Sequence, residues 1–442
     1  MKDSKIEWVG EIPENWEVIK IKYILASNDG GVWGNDPEDT DDDKTVLRST
    51  EQTIDGKWSI VSPARRCLKG VCLKNYVIKP NDLLMTKSSG SGLHIGKTTL
   101  AGQYFFNHEC YYSNFLQRLR GIDRIVYPKF LWYILNSVFV REQFVYMQNS
   151  TSGIGNINTG NIENVIIPIS LLTEQKEIAE YLDEKCGEID ALLADIKDEI
   201  ETLEQYKRSV ITESVTKGLN PSAPMKNSGI EWVGEIPEHW EVSKLKYLFS
   251  TVSGNGFNIN LQGEENGDYP FCKASDISLA HKDLNKAQNY VTKQIAILNR
   301  YNIIPKGSII FAKIGEAMKK NNRAICQCDC CIDNNCQALI PSSKICAIFA
   351  YYILRCINMQ WFDNAGTIPC ISVRKMMDCT IPLPSFLEQQ EIAEFLDKKC
   401  AEIDAIISDK QTEIQTLESY KKSLIYEYVT GKKEVKRDVS GD

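Results

Sequence analysis

The 442-residue chain contains no run of 18 or more apolar residues, which excludes a membrane-spanning helix as its organising feature. Its opening, MKDSKIEWVG, lacks the charged-then-apolar layout of a secretory signal, so a cytoplasmic location with no membrane partner is expected. Histidine is scarce, and His94, His108, His239 and His281 are too scattered to form a spaced cluster. There is no Asn/Asp-Pro-Pro-aromatic tetrapeptide of the kind methyltransferases carry. The stretch SGLHIGKT at 91–98 approaches the phosphate-loop pattern G-x-x-x-x-G-K-[ST] but fails at its first position; starting from Gly90 leaves five residues before Gly96, not four. The acids before Lys44 are too tightly spaced for a nuclease centre, and DPEDTDDD at 36–43 lacks the central glycine and terminal glutamate of a calcium loop. No catalytic residue is expected in this chain.

Cysteine is plentiful, at fifteen, but the count is odd and scattered, which favours reduced thiols over a disulfide framework. The run Cys326, Cys328, Cys330, Cys331 and Cys336 offers enough sulfur for zinc, yet C-x-C-x-C-C has none of the paired C-x-x-C knuckles of structural sites. Alternate cysteines on a strand would point to one face as small buried hydrophobes, so no metal is assigned.

What the chain does have is duplication. Residues 6–25 (IEWVGEIPENWEVIKIKYIL) and 230–249 (IEWVGEIPEHWEVSKLKYLF) agree at 15 of 20 positions, at an offset of 224. Residues 174–211 and 388–425 agree at 24 of 38, at an offset of 214. Between these repeated segments the two halves match poorly, so one frame presents two different modules.

Charge follows the same division. The net charge of −8 conceals basic modules: 269–384 holds 14 Lys/Arg against 7 Asp/Glu, and 44–141 is more basic still. The repeated segments carry the acid, with 13 acidic and 6 basic residues in 171–218. Basic modules on acidic connectors suit a polyanion reader whose struts stay off the backbone.

The acidic segments have a heptad. Ile189, Leu193, Ile196, Ile200, Leu203, Lys207 and Val210 recur at alternating spacings of four and three, as do Ile403, Ile407, Lys410, Ile414, Leu417, Lys421 and Leu424. Two long helices that pack on each other are therefore predicted, over 172–218 and 386–432, each stopping near a glycine (Gly218, Gly431). The remaining segments are a first module with its repeated opening (1–171), a linker (219–229), a second module (230–385) and a tail (433–442). The modules read as α+β, with short strands at 76–78, 83–86, 303–304 and 309–312 and helices at 129–136 and 348–355. WYIL at 132–135 and YYIL at 351–354 suggest one shared module fold.

With the WVGEIPE-x-WE openings, the paired EQ-x-EIAE-x-LD helices and the IPxPxxxEQ-like entries at 167–175 and 381–389, the chain closely resembles the specificity subunit of type I restriction-modification enzymes. The first entry departs slightly, having Ile169-Ser170-Leu171 where the second has Leu383-Pro384-Ser385. The resemblance implies two α/β target-recognition domains, each reading half of a split DNA sequence. They would be joined by two long helices in an antiparallel coiled coil with a pseudo-twofold internal repeat. It further implies two methyltransferase subunits and restriction/translocase subunits as partners. S-adenosylmethionine, ATP and Mg2+ are then expected on those partners and not on this chain.

In register with family members, TKSSG at 86–90 is a strand-to-loop element matched by AKIGE at 312–316, which makes Lys87, Ser88, Ser89, Lys313 and Gly315 DNA-contact candidates. Glycines permit close backbone approach to phosphate, and a long cation beside them reaches a phosphate or a guanine edge. Further candidates are Arg48, Arg65, Arg66, Lys69 and Lys74 in the first module, and Lys273, Arg300, Lys319, Lys320 and Arg323 in the second. Arg48 corresponds to Lys273, and Lys74 to Arg300. Polar loops at 149–155 and 366–370 add Thr151 and Thr367. Two rival readings stay open: a metal-dependent nucleic-acid enzyme built on the cysteines, and a coiled-coil scaffold with protein-binding modules.

Overall fold

A computed structural model describes residues 1–92, 94–151, 154–364, 366 and 368–435. The chain divides into two compact units, one formed by Met1–Lys197 with the segment from Gln411 onward, the other by Asp198–Lys410. Each unit holds one module and a part of both long helices, which span Leu172–Lys217 and Phe386–Val429. Among the described residues no helix is long and apolar enough to cross a membrane.

The heptad seam is where the sequence places it. Along both helices the seam positions are buried or half-buried, while most of the residues between them are exposed. In the first unit Asp190 meets Lys421 at 2.5 Å, and the Tyr181 and Tyr428 rings lie 4.6 Å apart. Rising numbers on one helix thus meet falling numbers on the other. In the second unit Lys207 meets Asp404 at 2.5 Å and Lys410 pairs with Glu199, so the pairing there is antiparallel as well. The seam lysines are the polar interruptions of the heptad. Their stems cover the seam while their ammonium groups reach an acid on the opposite helix.

The two repeats converge on one joint. The strand Glu17–Lys20 pairs antiparallel with Ile166–Ile169, which leads into the first long helix; Glu241–Lys244 pairs with Thr380–Leu383, which leads into the second. Trp16 donates its indole N–H to Glu174 at 3.0 Å, and Trp240 donates to Glu388 at 2.9 Å. Each opening also closes off the end of a long helix. A side chain at Gly431 would collide with Pro13 and Trp16, and one at Gly218 would press on Trp240. Both glycines have positive φ (+69° and +77°), the left-handed turn that ends a helix.

The glutamine of each EQ pair is a backbone clamp. Gln175 accepts from the Tyr127 N–H and donates to the Ile125 and Ser170 carbonyls. Gln389 accepts from the Cys346 N–H and donates to the Lys344 and Pro384 carbonyls. Both are buried, so truncation leaves backbone groups unpaired away from water. Gln175→Ala and Gln389→Ala should each cost about 2–3 kcal/mol, read as a lower urea midpoint. An unchanged midpoint would mean that water replaces the amide.

Despite their divergence the modules share one topology. The first has a four-stranded antiparallel sheet in the order Leu25–Gly30, Leu116–Gly121, Leu83–Thr86, Thr98–Leu100. The second repeats it as Phe249–Ser253, Cys336–Pro341, Ile309–Ala312, Arg323–Cys326, then adds Asp283–Leu284 in parallel. Each module also has a three-stranded sheet with a parallel pair: Tyr111–Tyr112 beside Asp43–Leu47, and Cys331–Ile332 beside Tyr269–Cys272. The expected helices appear as Pro128–Asn136 and Ala347–Cys356. Tyr133 and Tyr352, from WYIL and YYIL, donate to Asp183 and Asp397 of the long helices, each at 2.7 Å.

Three expectations need correction. Residues 76–78 are not a strand; they leave a 3-10 turn, precede Pro80 and pair only through the Ile78 N–H and the Cys110 carbonyl. Residues 303–304 make a single bridge, Ile304 to Cys330. The linker is shorter than its composition suggests, because Met225–Ile230 is a strand paired with Gly234–Pro237. It matches Lys2–Asp3 paired with Glu11–Ile12, so the duplication extends back to Met1 and Met225.

Candidate nucleic-acid interface

In both units the fold brings the TKSSG-type element and the polar loop together. In the first, Ser88–Ser89 pairs with Ile154–Asn156, which pairs with Asn149–Thr151. The Ser88 hydroxyl donates to Asn156 at 2.5 Å. Ser89 accepts from the Ser91 N–H at 3.2 Å. In the second, Ile314 bridges Cys370, and the Gly315 N–H donates to the Pro369 carbonyl. Gly315 has φ +76°, which an L side chain rarely adopts. Thr151 is in a strand but its side chain, like all of Thr367, lies outside the described residues.

Lys87 and Lys313 occupy the same place. The Lys87 N–H donates to the Phe115 carbonyl and its carbonyl accepts from Ile157; Lys313 does the same with Asn335 and Ile371. The Lys87 ammonium donates to Gln117 at 3.2 Å, and that of Lys313 to the Ser253 hydroxyl at 3.2 Å. Partial burial lowers the pKa of Lys87. Both are half-buried, at strand ends that lead into polar loops.

The other cations divide by what holds them. Arg48 and Lys273 correspond, each opening a helical turn whose third residue accepts from its backbone N–H (Glu51 at 2.5 Å, Asp276 at 2.7 Å). The Arg48 guanidinium also pairs with Glu51, which raises its pKa. The Lys273 ammonium sits 3.8 Å from the Phe257 ring centroid and donates to Gln262. Lys74 and Arg300 each lie four residues before an isoleucine bonded to a cysteine carbonyl (Ile78 to Cys110, Ile304 to Cys330). Lys74 is the middle residue of a 3-10 turn, whereas Arg300 follows a helix with φ +54°. Arg65 is exposed 4.0 Å from Asp43, Lys69 and Lys320 are exposed, and Lys319 pairs with Glu316. Arg66 is mostly spent on its own module, bonding Asp36 and the Trp33 and Gly34 carbonyls beneath the Trp33 ring.

Arg323 is not a surface contact. Its side chain is 2% exposed, its guanidinium donates to the Asn321 and Ile357 carbonyls, and burial lowers its pKa to about 9. An arginine inside the fold clamps two loops and cannot reach a duplex. Lys97, the lysine of the phosphate-loop look-alike, is likewise buried and donates to the Ser49 and Gln52 carbonyls.

The cysteine run behaves as core. Cys326, Cys330 and Cys336 join Cys272 in a buried apolar cluster, and burial pushes the Cys331 and Cys336 thiols up to about 12. Cys328 departs from the expected alternation, since it sits in the turn between Cys326 and Cys330 and is half-exposed. No group of three or more His, Cys, Asp or Glu among the described residues is arranged to hold a metal ion.

Two positions went unnoticed in the sequence. Gln117 and Gln337 lie on matching strands, 1% and 2% exposed, in N-x-x-Q stretches (NFLQ, NNCQ) that align once the strands are known. That shared spacing was the available signal.

A family model for the type I restriction modification DNA specificity domain matches this chain twice, over 13–202 and 237–416. The chain belongs to that family. The MjaVIII type I specificity subunit of Methanocaldococcus jannaschii is 28% identical over 446 residues, covering 96% of this chain and 94% of that protein. The EcoKI specificity subunit of Escherichia coli K12 is 22% identical, covering 70% and 64%. Among solved structures, one from work on assembly and conformational transition of the type I R-M system superposes with a TM-score of 0.73, at 15% identity, over 95% of this chain and 99% of that one. The HsdS subunit of Thermoanaerobacter tengcongensis gives 0.53, also at 15%, over 98% and 100%. These likenesses establish the fold of a specificity subunit: two modules with mixed strands and helices, and long helices.

Proposed function

We propose that this specificity subunit binds an asymmetric, bipartite duplex target, with each module reading one half, and performs no chemistry itself. The observation that carries this reading is a duplicated frame holding two divergent basic modules, each with a lysine at the same strand end. A lysine there meets a guanine edge or a phosphate. Lys87→Ala or Lys313→Ala should weaken specific binding by about 1–3 kcal/mol if a base is read, or lower the salt slope by about one if a phosphate is met. Unchanged affinity and slope for both variants would sink the assignment.

Methyl transfer and cleavage belong in this reading to partners: two methyltransferase subunits using S-adenosylmethionine, and restriction/translocase subunits using ATP and Mg2+. The coiled coil offers each methyltransferase subunit a like surface. Leu192 and Tyr420 in the first unit, and Ile406 and Tyr206 in the second, are about half exposed at positions that repeat at the 214 offset. Repetition of solvent-facing apolar residues argues for something that covers them. Tyr206→Glu with Tyr420→Glu should abolish co-purification of the methyltransferase subunits and leave the melting temperature within a few degrees. Full co-purification would place their docking elsewhere.

A further inference from the structure

The strand register puts Gln117 opposite Gly30, and Gln337 opposite Ser253. The following glycines, Gly31 and Gly254, confirm the equivalence. A side chain at either would strike two backbone carbonyls, those of Tyr112 and Ser113 or of Ile332 and Asp333. The same glutamines lie opposite Met85 and Phe311 on the other side, two residues before Lys87 and Lys313. Each lysine therefore has one buried glutamine and one small residue beside it in the same arrangement.

The chemistry of the two arrangements differs by one side chain. Gln117 donates its amide N–H to Asn28 at 2.7 Å, which leaves its carbonyl oxygen turned to the Lys87 ammonium at 3.2 Å. A Cβ added at Gly30 would stand 3.0 Å from that ammonium, so the lysine reaches the glutamine because residue 30 has no side chain. In the second module Ser253 fills that space. Its hydroxyl donates to the Gln337 carbonyl at 2.8 Å and accepts from Lys313 at 3.2 Å. The glutamine acts on one lysine directly and on the other through a hydroxyl. Since an ammonium has three N–H donors, each lysine keeps two for a DNA acceptor, aimed by where the third is held.

We propose that Gln117 and Gln337 are positioning residues for the DNA-reading lysines, and that Gly30 or Ser253 sets where each ammonium lies and so helps set base preference in its half-site. This rests on the assignment of Lys87 and Lys313 as DNA contacts.

The test is a double-mutant cycle in the full-length subunit assembled with its methyltransferase partner. The probe is a duplex carrying the motif that partner methylates, mapped from genomic DNA of a host expressing the complex. Lys87→Ala should weaken binding by about tenfold, and Gln117→Ala by about three- to tenfold. In the Lys87→Ala background the added effect of Gln117→Ala should vanish. Gly30→Ser, which gives the first module the residue that the second has at this place and displaces the Lys87 ammonium, should alter preference in the first half-site only, and only while Lys87 is present. Equal effects of Gln117→Ala with and without Lys87, or none in either, would overturn the positioning role, as would an unchanged half-site in Gly30→Ser. If Lys87→Ala itself leaves binding unchanged, the DNA-contact assignment fails instead.

Discussion

Inserting four residues after Glu199, and four after its counterpart Glu413, should lengthen the unspecified gap between the two recognised half-sites by one or two base pairs while leaving both half-sites unchanged. The first long helix runs unbroken through Glu199, from one unit into the next, and the second does so through Glu413. Four residues add about 6 Å of helical rise, against roughly 3.4 Å per base pair. They also rotate the following helix only about 40° beyond one full turn, so the seam is disturbed less than by one or two residues. Matched insertions keep the two helices equal in length, so the pairs Asp190 with Lys421 and Lys207 with Asp404 persist on either side. Mapping the methylated motif of the variant reads the result. An active variant with an unaltered gap would show that these helices do not set the spacing.

The parts of the fold that could be read from residues alone are those governed by short-range periodicity. A heptad repeat is read from neighbours three and four residues apart, and its apolar positions are buried or half-buried along both helices. The duplicated openings were equally visible, but their purpose was not. That Trp16 and Trp240 cap Glu174 and Glu388 depends on strands pairing across more than a hundred residues, which no local pattern encodes. The strands of the modules were harder still. They are short, and the residues at 76–78 have the β-branched, aromatic look of a strand yet lack a partner along their length. Charge misled once: Arg323 reads as one more basic residue until the Asn321 and Ile357 carbonyls are found around it. Gln117 and Gln337 escaped notice because glutamine in a strand has no reading of its own until the neighbouring lysine is in place. That the polar loops at 149–155 and 366–370 lie beside the strand-to-loop elements was not legible either, because the pairing of Ser88–Ser89 with Ile154–Asn156 and the bridge from Ile314 to Cys370 join residues more than fifty positions apart.

The second large effect concerns the modules. If the frame is common and the inserts do the reading, residues 26–157 can be exchanged for the equivalent segment of a relative with the strand pair and tryptophan bond of the joint kept, because Glu17–Lys20, Ile166–Ile169 and the Trp16–Glu174 bond all lie outside the exchanged segment; Gln143, which bonds the Ile166 backbone, is the joint contact that lies within it. The clamps of Gln175 on residues 125 and 127 fall inside it, but they are backbone contacts that a module of the same topology reproduces. Each mismatched base pair in a recognition site costs about 1–3 kcal/mol, so a module reading different bases leaves essentially no activity on the old half-site. The direct measurement is single-molecule mapping of methylated motifs in a host carrying the exchanged subunit with its own methyltransferase. The expected motif has a new first half, with the second half and the gap unchanged; a motif altered in both halves, or in neither, would contradict modular reading.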